Sequence, residues 1–307
     1  MEFIIAYFKG WGWSFRKIGM WLLIYVFNFL FALLATLPLL NMLESKLGRS
    51  LTIERLMPGF DFTIFSDIMN QYGDSVRVLL DQSIVLVFLF FVFSIFLNGG
   101  ILHVFKLNDT PFRFRNFWTG CSRYFWRLFR LTVYFFVVYG LLSMAFFQGY
   151  FAWIGGGLDQ LDSELVFYEH LRVLIPIWGL LLSVVMMIHD YAKIHIVHED
   201  KMLLFVPFWQ SFAMVFKHFL STFSLYWLNL FTFFGVIWAY ILLNRPADSN
   251  EAIIYTFVVG QAFVLARIGM KMLNLASATA YYQQEMRRPQ EKTVLVSNSE
   301  VTSVGKA

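Results

Sequence analysis

Charge is what this chain lacks most. Lys, Arg, Asp and Glu make up 14% of its 307 residues, against roughly 25% in a soluble globular domain. With 59% hydrophobic residues, a water-soluble chain of this kind would expose large apolar patches and aggregate. Cysteine is almost missing. Cys121 stands alone, so no intrachain disulfide can form and the redox compartment is left unmarked. No Gly-x-Ser-x-Gly elbow, phosphate loop or His-Glu-x-x-His pattern occurs, which removes the commonest signatures of hydrolases, nucleotide enzymes and zinc proteases. His189, His195 and His198 lie near Asp190, Glu199 and Asp200, but six histidines in all fall short of the repeated clusters of membrane di-iron enzymes. No metal and no cofactor is expected. The net charge of +4 comes without a basic tract or RNA-binding motif, so no nucleic acid is expected as a partner.

What the chain has instead is long apolar runs. A membrane-crossing helix needs about 20 mostly apolar residues, and six stretches qualify, at about 18–40, 83–102, 131–154, 171–189, 219–243 and 252–271. The first begins after Lys17 and lacks a small-x-small cleavage site, so it reads as an uncleaved anchor. The expectation is an all-α polytopic membrane helical bundle. It would have six transmembrane helices plus interfacial amphipathic helices, in a single domain over 1–288, with a polar tail over 289–307 that has little to bury and stays disordered. Lys and Arg mark orientation. Seventeen fall in the segments that share a side with the N-terminus and six in the opposite loops, which predicts that both termini are cytoplasmic.

Three aromatic and basic stretches precede the odd-numbered spans. They run from Phe8 to Lys17, from Phe117 to Arg127 and from Phe208 to His218. Trp11, Trp13, Trp118, Trp126 and Trp209 read as anchors in the headgroup layer, with neighbouring Lys and Arg facing anionic lipid headgroups. The spacing suggests three units, each an interfacial helix followed by a helical hairpin. The loop 41–82 carries turn signals at Pro58-Gly59 and Gly73. Between and after them, apolar residues recur at helical spacing, which predicts one or two amphipathic helices at the far surface.

Polar residues inside or beside spans are costly in hydrocarbon and so are candidates for function. Asn98, Arg127, Arg130, Asp190, Lys193, Arg267 and Lys271 all fall toward the termini-bearing side, which predicts one polar layer there. Asp190 needs a cation. Arg267 and Arg130 are the expected partners, because a guanidinium can grip a carboxylate with two bonds, with Lys193 and Arg127 as competitors. The layer is either a structural clasp or a site for a substrate, ion or phosphate headgroup. Gly99-Gly100 signals a close helix approach or a broken helix.

Three stretches together carry a resemblance. They are Leu97-Asn98-Gly99-Gly100-Ile101, Phe117-Trp118 through Arg130-Leu131, and Asp190-Tyr191-Ala192-Lys193 through Glu199-Asp200. They resemble an uncharacterised family of bacterial six-span inner-membrane proteins, distantly similar to the membrane domain found beside glycerophosphodiester phosphodiesterase catalytic domains. The resemblance implies a bacterial origin, an inner-membrane location, six spans and a shared polar layer, without an assigned reaction. Two functions follow as expectations. One is a non-catalytic scaffold or regulatory membrane subunit. The other is binding or transport of a lipid-like or anionic substrate at the polar layer.

Overall fold

Hydrocarbon offers no water to backbone N–H and C=O groups, so an apolar run satisfies them within itself by forming a helix. A computed structural model of the chain describes residues 2–47, 62–107, 110–153, 164–200, 202, 205–244 and 250–304. Among them all regular structure is helical: α1 (Glu2–Phe15), α2 (Ile18–Leu47), α3 (Phe62–Lys106), α4 (Phe114–Trp153), α5 (Glu164–Glu199), α6 (Phe205–Lys217), α7 (Phe219–Leu243) and α8 (Asn250–Val304). Six of these helices hold stretches long and apolar enough to cross a membrane, namely Ile18–Met42, Met69–Lys106, Phe114–Trp153, Tyr168–Glu199, Phe219–Leu243 and Ile254–Met286. The protein is an all-α, multi-pass membrane protein.

Most helices overrun the apolar runs. Charge ends a hydropathy window but not a helix, because Lys, Glu, Gln and Arg are themselves good helix formers. The segment 62–82 is therefore not a separate surface element. It continues into the second span as one helix, with a kink at Tyr72 (φ −122°, ψ 16°) beside Gly73. The Pro58-Gly59 turn lies outside the described residues. So do the side chains from residue 287 onward, where the tail falls.

The chain forms two compact units, one of residues 1–21 with 96–307 and one of residues 22–95. In the smaller, Phe27 and Phe31 of α2 pack against Phe93 of α3, with ring centroids 5.0 and 5.5 Å apart. The larger holds the polar residues singled out above.

Within the larger unit one pattern of contacts recurs three times. Each aromatic and basic stretch forms a helix with a buried small residue, and that helix meets the final helix of another repeat. Gly120 of α4 meets Gly99 and His103 of α3, and Gly10 of α1 meets Ser277 of α8. Ser211 of α6 is fully buried, and α6 packs on α5. The basic residue seven places later then reaches the final helix of its own repeat. Lys17 donates to the Val104 carbonyl on α3, Arg127 to Asp200 at the end of α5 (2.6 Å), and His218 Nε2 lies 3.5 Å from Glu285 on α8. The first and third stretches are separate helices. Turn-type bonds from the Lys17 N–H to the Ser14 carbonyl and from the Met20 N–H to the Lys17 carbonyl (3.1 and 2.9 Å) break the first from its span. The second stretch runs into its span without a break as α4.

Candidate functional site

Asp190 lies on α5, about two and a half turns before the helix ends. One carboxylate oxygen accepts from Lys193 Nζ at 2.9 Å, a pair three residues apart on the same helix face. The other accepts from Asn274 Nδ2 of α8 at 3.1 Å. The expected pairing with Arg267 or Arg130 is therefore corrected. Asp190 meets α8 at Asn274, seven residues beyond Arg267. At 1.5 Å per residue that places the Arg267 backbone about 10 Å away along the helix. Arg130 is exposed on α4, and none of the described ion pairs includes it.

An amide chain leads from Asp190 across α8 to α7. Asn229 Nδ2 donates to Ser277 Oγ at 3.0 Å and lies 3.4 Å from Asn274 Oδ1. It also reaches the Leu225 carbonyl at 3.0 Å. Beside this chain opens a cleft of about 310 Å³ between α7 and α8, lined by Tyr226, Asn229, Leu230, Phe233, Arg267, Met270, Lys271 and Asn274. Arg267 and Lys271 both present exposed surface to it. Lys271 is flanked by protein and within electrostatic reach of Lys193, Asp190 and Arg267. The neighbourhood thus holds three cations and one carboxylate, all within apolar stretches. Tyr226 donates to the Met186 thioether at 3.5 Å, a weak acceptor, and lies within electrostatic reach of Asp190.

A second ionic cluster closes the end of α5. Asp200 follows the last helical residue with φ 54°, the left-handed conformation that ends many helices and that Asp tolerates better than most residues. Its two oxygens take Arg123 and Arg127. Partial burial works to raise its pKa, but the hydrogen bonds from the two guanidiniums outweigh this and hold it below the ordinary aspartate value of 3.8. A carboxyl held low in the folded state adds stability above its unfolded value, and the gain fades as pH falls through the folded value. Asp200 and Arg123 are more than one-third exposed, so the gain is screened and stays under about 1 kcal/mol. Asp200→Asn is expected to lower the thermal midpoint slightly at pH 7, by an amount that shrinks as pH falls below the ordinary aspartate value of 3.8. A loss that stays the same as the pH is lowered would refute the ionic reading of this cap.

The remaining candidates are engaged in packing. His198 Nδ1 lies 3.2 Å from the Ile194 carbonyl and its Nε2 lies 3.1 Å from Gln283 Nε2, which fits a proton on Nδ1. Tyr282 of α8 donates to Glu199 at 3.1 Å, and His195 Nδ1 lies 3.3 Å from the same oxygen. His189 stacks on Phe135 at 4.3 Å. Asn98 leaves its Oδ1 without a hydrogen-bond partner, and α3 runs through Gly99-Gly100 as a continuous helix, so the glycine pair serves the crossing with α4. Of the anchor tryptophans, Trp126 and Trp209 face outward, whereas Trp11, Trp13 and Trp118 are half-buried. Asn229, Asn274 and Tyr226 were not among the expected site residues. The signal was present, since an amide inside a span needs a partner as a charge does.

A larger cavity, about 530 Å³, lies between α4 and α5 toward their far ends and is lined mainly by Phe146, Trp153, Leu174 and Ile177. Its polar pair is Tyr150 with His170 Nδ1 at 3.1 Å. The smaller cleft brings together more of the polar chemistry. No protein-family profile, curated protein or solved structure matches the chain.

Proposed function

We propose that this is a bacterial inner-membrane protein that binds an anionic, lipid-like ligand in the cleft between α7 and α8. The observation that carries the reading is the exposure of Arg267 and Lys271 to that cleft inside the apolar stretch Ile254–Met286. Cations facing hydrocarbon are costly unless an anion or water meets them. Asp190, within electrostatic reach of Lys271, accepts from Lys193 and Asn274. An anionic headgroup entering sideways from the bilayer meets these cations, while Leu230, Phe233 and Met270 provide an apolar wall for its chain.

The test is lipid retention. The protein is exchanged into nanodiscs of zwitterionic lipid doped with anionic lipid and examined by native mass spectrometry. The wild type is expected to retain anionic lipid, and Arg267→Gln/Lys271→Gln to retain about tenfold less, a difference of about 1.4 kcal/mol. Equal retention by both proteins would defeat the reading.

One observation favours a non-catalytic scaffold instead. The polar groups at the ends of α4, α5 and α8 largely satisfy one another, as a structural clasp does. That reading gains if the double variant binds lipid as the wild type does.

The distribution of Lys and Arg supports cytoplasmic termini. Reporter fusions after Glu199 and after Leu243 should then fall on opposite sides of the membrane, the first cytoplasmic. The reverse result would invert the orientation.

A further inference from the structure

We infer that the cavity between α4 and α5 is a second binding site, which takes an uncharged amphiphile with a flat, carbonyl-bearing ring: a quinone with an apolar tail. The site is separate from the α7–α8 cleft and does not depend on what that cleft binds.

The hollow originates in the sequence. Ala145 and Gly149 are four residues apart and share one face of α4, where they leave side-chain volume missing. A Cβ added at Gly149 would meet nothing within 4 Å. A pair of small residues in a span usually lets two helices approach closely. Here α5 does not close in, and about 530 Å³ stays open. Ligand pockets commonly span about 300–1,000 Å³. A void of this size forfeits dispersion contacts along its walls, and an apolar cavity does not fill with water. A molecule from the bilayer is the natural filler.

The lining selects against charge. Among the described residues no Lys, Arg, Asp or Glu lines the cavity. A carboxylate or phosphate would enter apolar surroundings without a countercharge, at a high cost. The ligand is therefore uncharged, unlike the one proposed for the α7–α8 cleft.

The polar end calls for an acceptor. Tyr150 is buried, and its hydroxyl lies 3.1 Å from His170 Nδ1. If the hydroxyl donates, Nδ1 accepts, and a neutral imidazole carries its proton on Nε2. If Nδ1–H donates, the hydroxyl proton is left over. Among the described residues His170 has no other hydrogen-bond partner, so either arrangement keeps one donor that the pair does not use. A carbonyl oxygen meets it. The walls then select the body that carries the carbonyl. Phe146, Tyr150 and Trp153 recur at helical spacing on α4, and the Trp153 and His170 rings lie 5.9 Å apart. Aromatic side chains favour offset or edge contact with another flat ring. A quinone brings the ring and the carbonyl together, and Leu174 and Ile177 give its tail an apolar wall.

The experiment compares three amphiphiles of similar chain length. The full-length protein is placed in zwitterionic nanodiscs with a fully substituted benzoquinone bearing a decyl chain, with methyl dodecanoate or with dodecanoate. Retention is read by native mass spectrometry against empty nanodiscs. The wild type is expected to retain a single quinone, with at least about tenfold preference over either chain compound. Gly149→Leu, which fills open space, should abolish retention. Tyr150→Phe/His170→Phe, which keeps the rings and removes the donors, should lower it about tenfold. Arg267→Gln/Lys271→Gln should retain the quinone as the wild type does, which separates this site from the anionic one. Should the Tyr150 and His170 double variant fail to fold, the wild-type preference and Gly149→Leu carry the test. Equal retention of quinone and methyl dodecanoate would overturn the ring, and stronger retention of dodecanoate would overturn the uncharged ligand. Unchanged retention in Gly149→Leu, or none in the wild type, would overturn the site.

Discussion

Gly120→Ala is expected to lower the thermal midpoint of the detergent-solubilised protein, while Gly140→Ala on the same helix raises it. The two substitutions add the same methyl group to α4. At Gly120 a Cβ would lie 2.4 Å from His103 Cβ and 3.1 Å from the Gly99 carbonyl oxygen. His103 Cβ is fixed to its backbone, so no rotamer change relieves the clash, and α3 and α4 must separate. The neighbouring contact tightens the constraint, because a Cβ on Gly100 would lie 2.5 Å from Cys121 Sγ and 2.8 Å from Phe117. Overpacking at such a site costs about 1–3 kcal/mol, and Gly120→Leu should prevent folding. At Gly140 nothing lies within 4 Å of the added carbon. There the substitution only improves helix propensity, a gain of up to about 1 kcal/mol. Thermal unfolding followed by tryptophan fluorescence separates the two. Equal midpoints for Gly120→Ala and Gly140→Ala would mean that the α3–α4 crossing is looser than the structure has it.

The contrast between Gly120 and Gly99-Gly100 shows where a sequence can be read and where it cannot. The six apolar runs were legible because hydrocarbon imposes a length and a composition on any helix that crosses it. Gly99-Gly100 was legible as a close approach because two glycines in a span have few other uses. Its partner was not, since Gly120 sits in a stretch that reads equally well as surface anchoring, and crossing partners leave no local trace. Asp190 was rightly singled out as needing a cation, but its partner was misjudged. Depth was inferred from where charges end each apolar run, and in α8 that end lies more than three turns before the apolar stretch closes at Met286. Arg267 was thereby placed level with Asp190 when Asn274 is. The uncharged amides escaped for a different reason. Asn229 and Asn274 do not lower a hydropathy window enough to stand out, yet together with Ser277 they form the hydrogen-bonded link between α7 and α8. Trp11, Trp13 and Trp118 are half-buried, Trp11 stacking on Phe15 of its own helix and Trp118 meeting Phe114 and Phe117. Trp126 and Trp209, by contrast, are exposed.

Asp190→Asn is expected to cost more than any other single charge removal in this protein, and Lys193→Gln to restore most of the loss. The carboxylate and the ammonium are both mostly enclosed, at 19% and 15% side-chain exposure. Breaking a buried pair by removing one member leaves the other uncompensated, which costs about 3–5 kcal/mol when burial is complete. Here it should be about 2 kcal/mol or more, because some exposure remains. The loss is aggravated by the cationic surroundings. With Asp190 neutral, the attraction it exerts on Lys193 and Lys271 is lost while the repulsion of Lys271 by Lys193 and Arg267 remains. The amide of Asn can still accept from Asn274, so the hydrogen bond at 3.1 Å survives and the change reports mainly on charge. In a double-mutant cycle Asp190→Asn should couple strongly with Lys193→Gln and much less with Arg267→Gln, whose backbone lies about 10 Å further along α8 from the contact at Asn274. Arg267→Gln alone should be neutral or slightly stabilising in lipid-free detergent, since it removes a repelling charge, and should lose that advantage once anionic lipid is added. Folded yield and thermal midpoint, each with and without anionic lipid, measure all four terms of the cycle. Should Arg267→Gln couple with Asp190→Asn as strongly as Lys193→Gln does, the carboxylate belongs to the cleft cations.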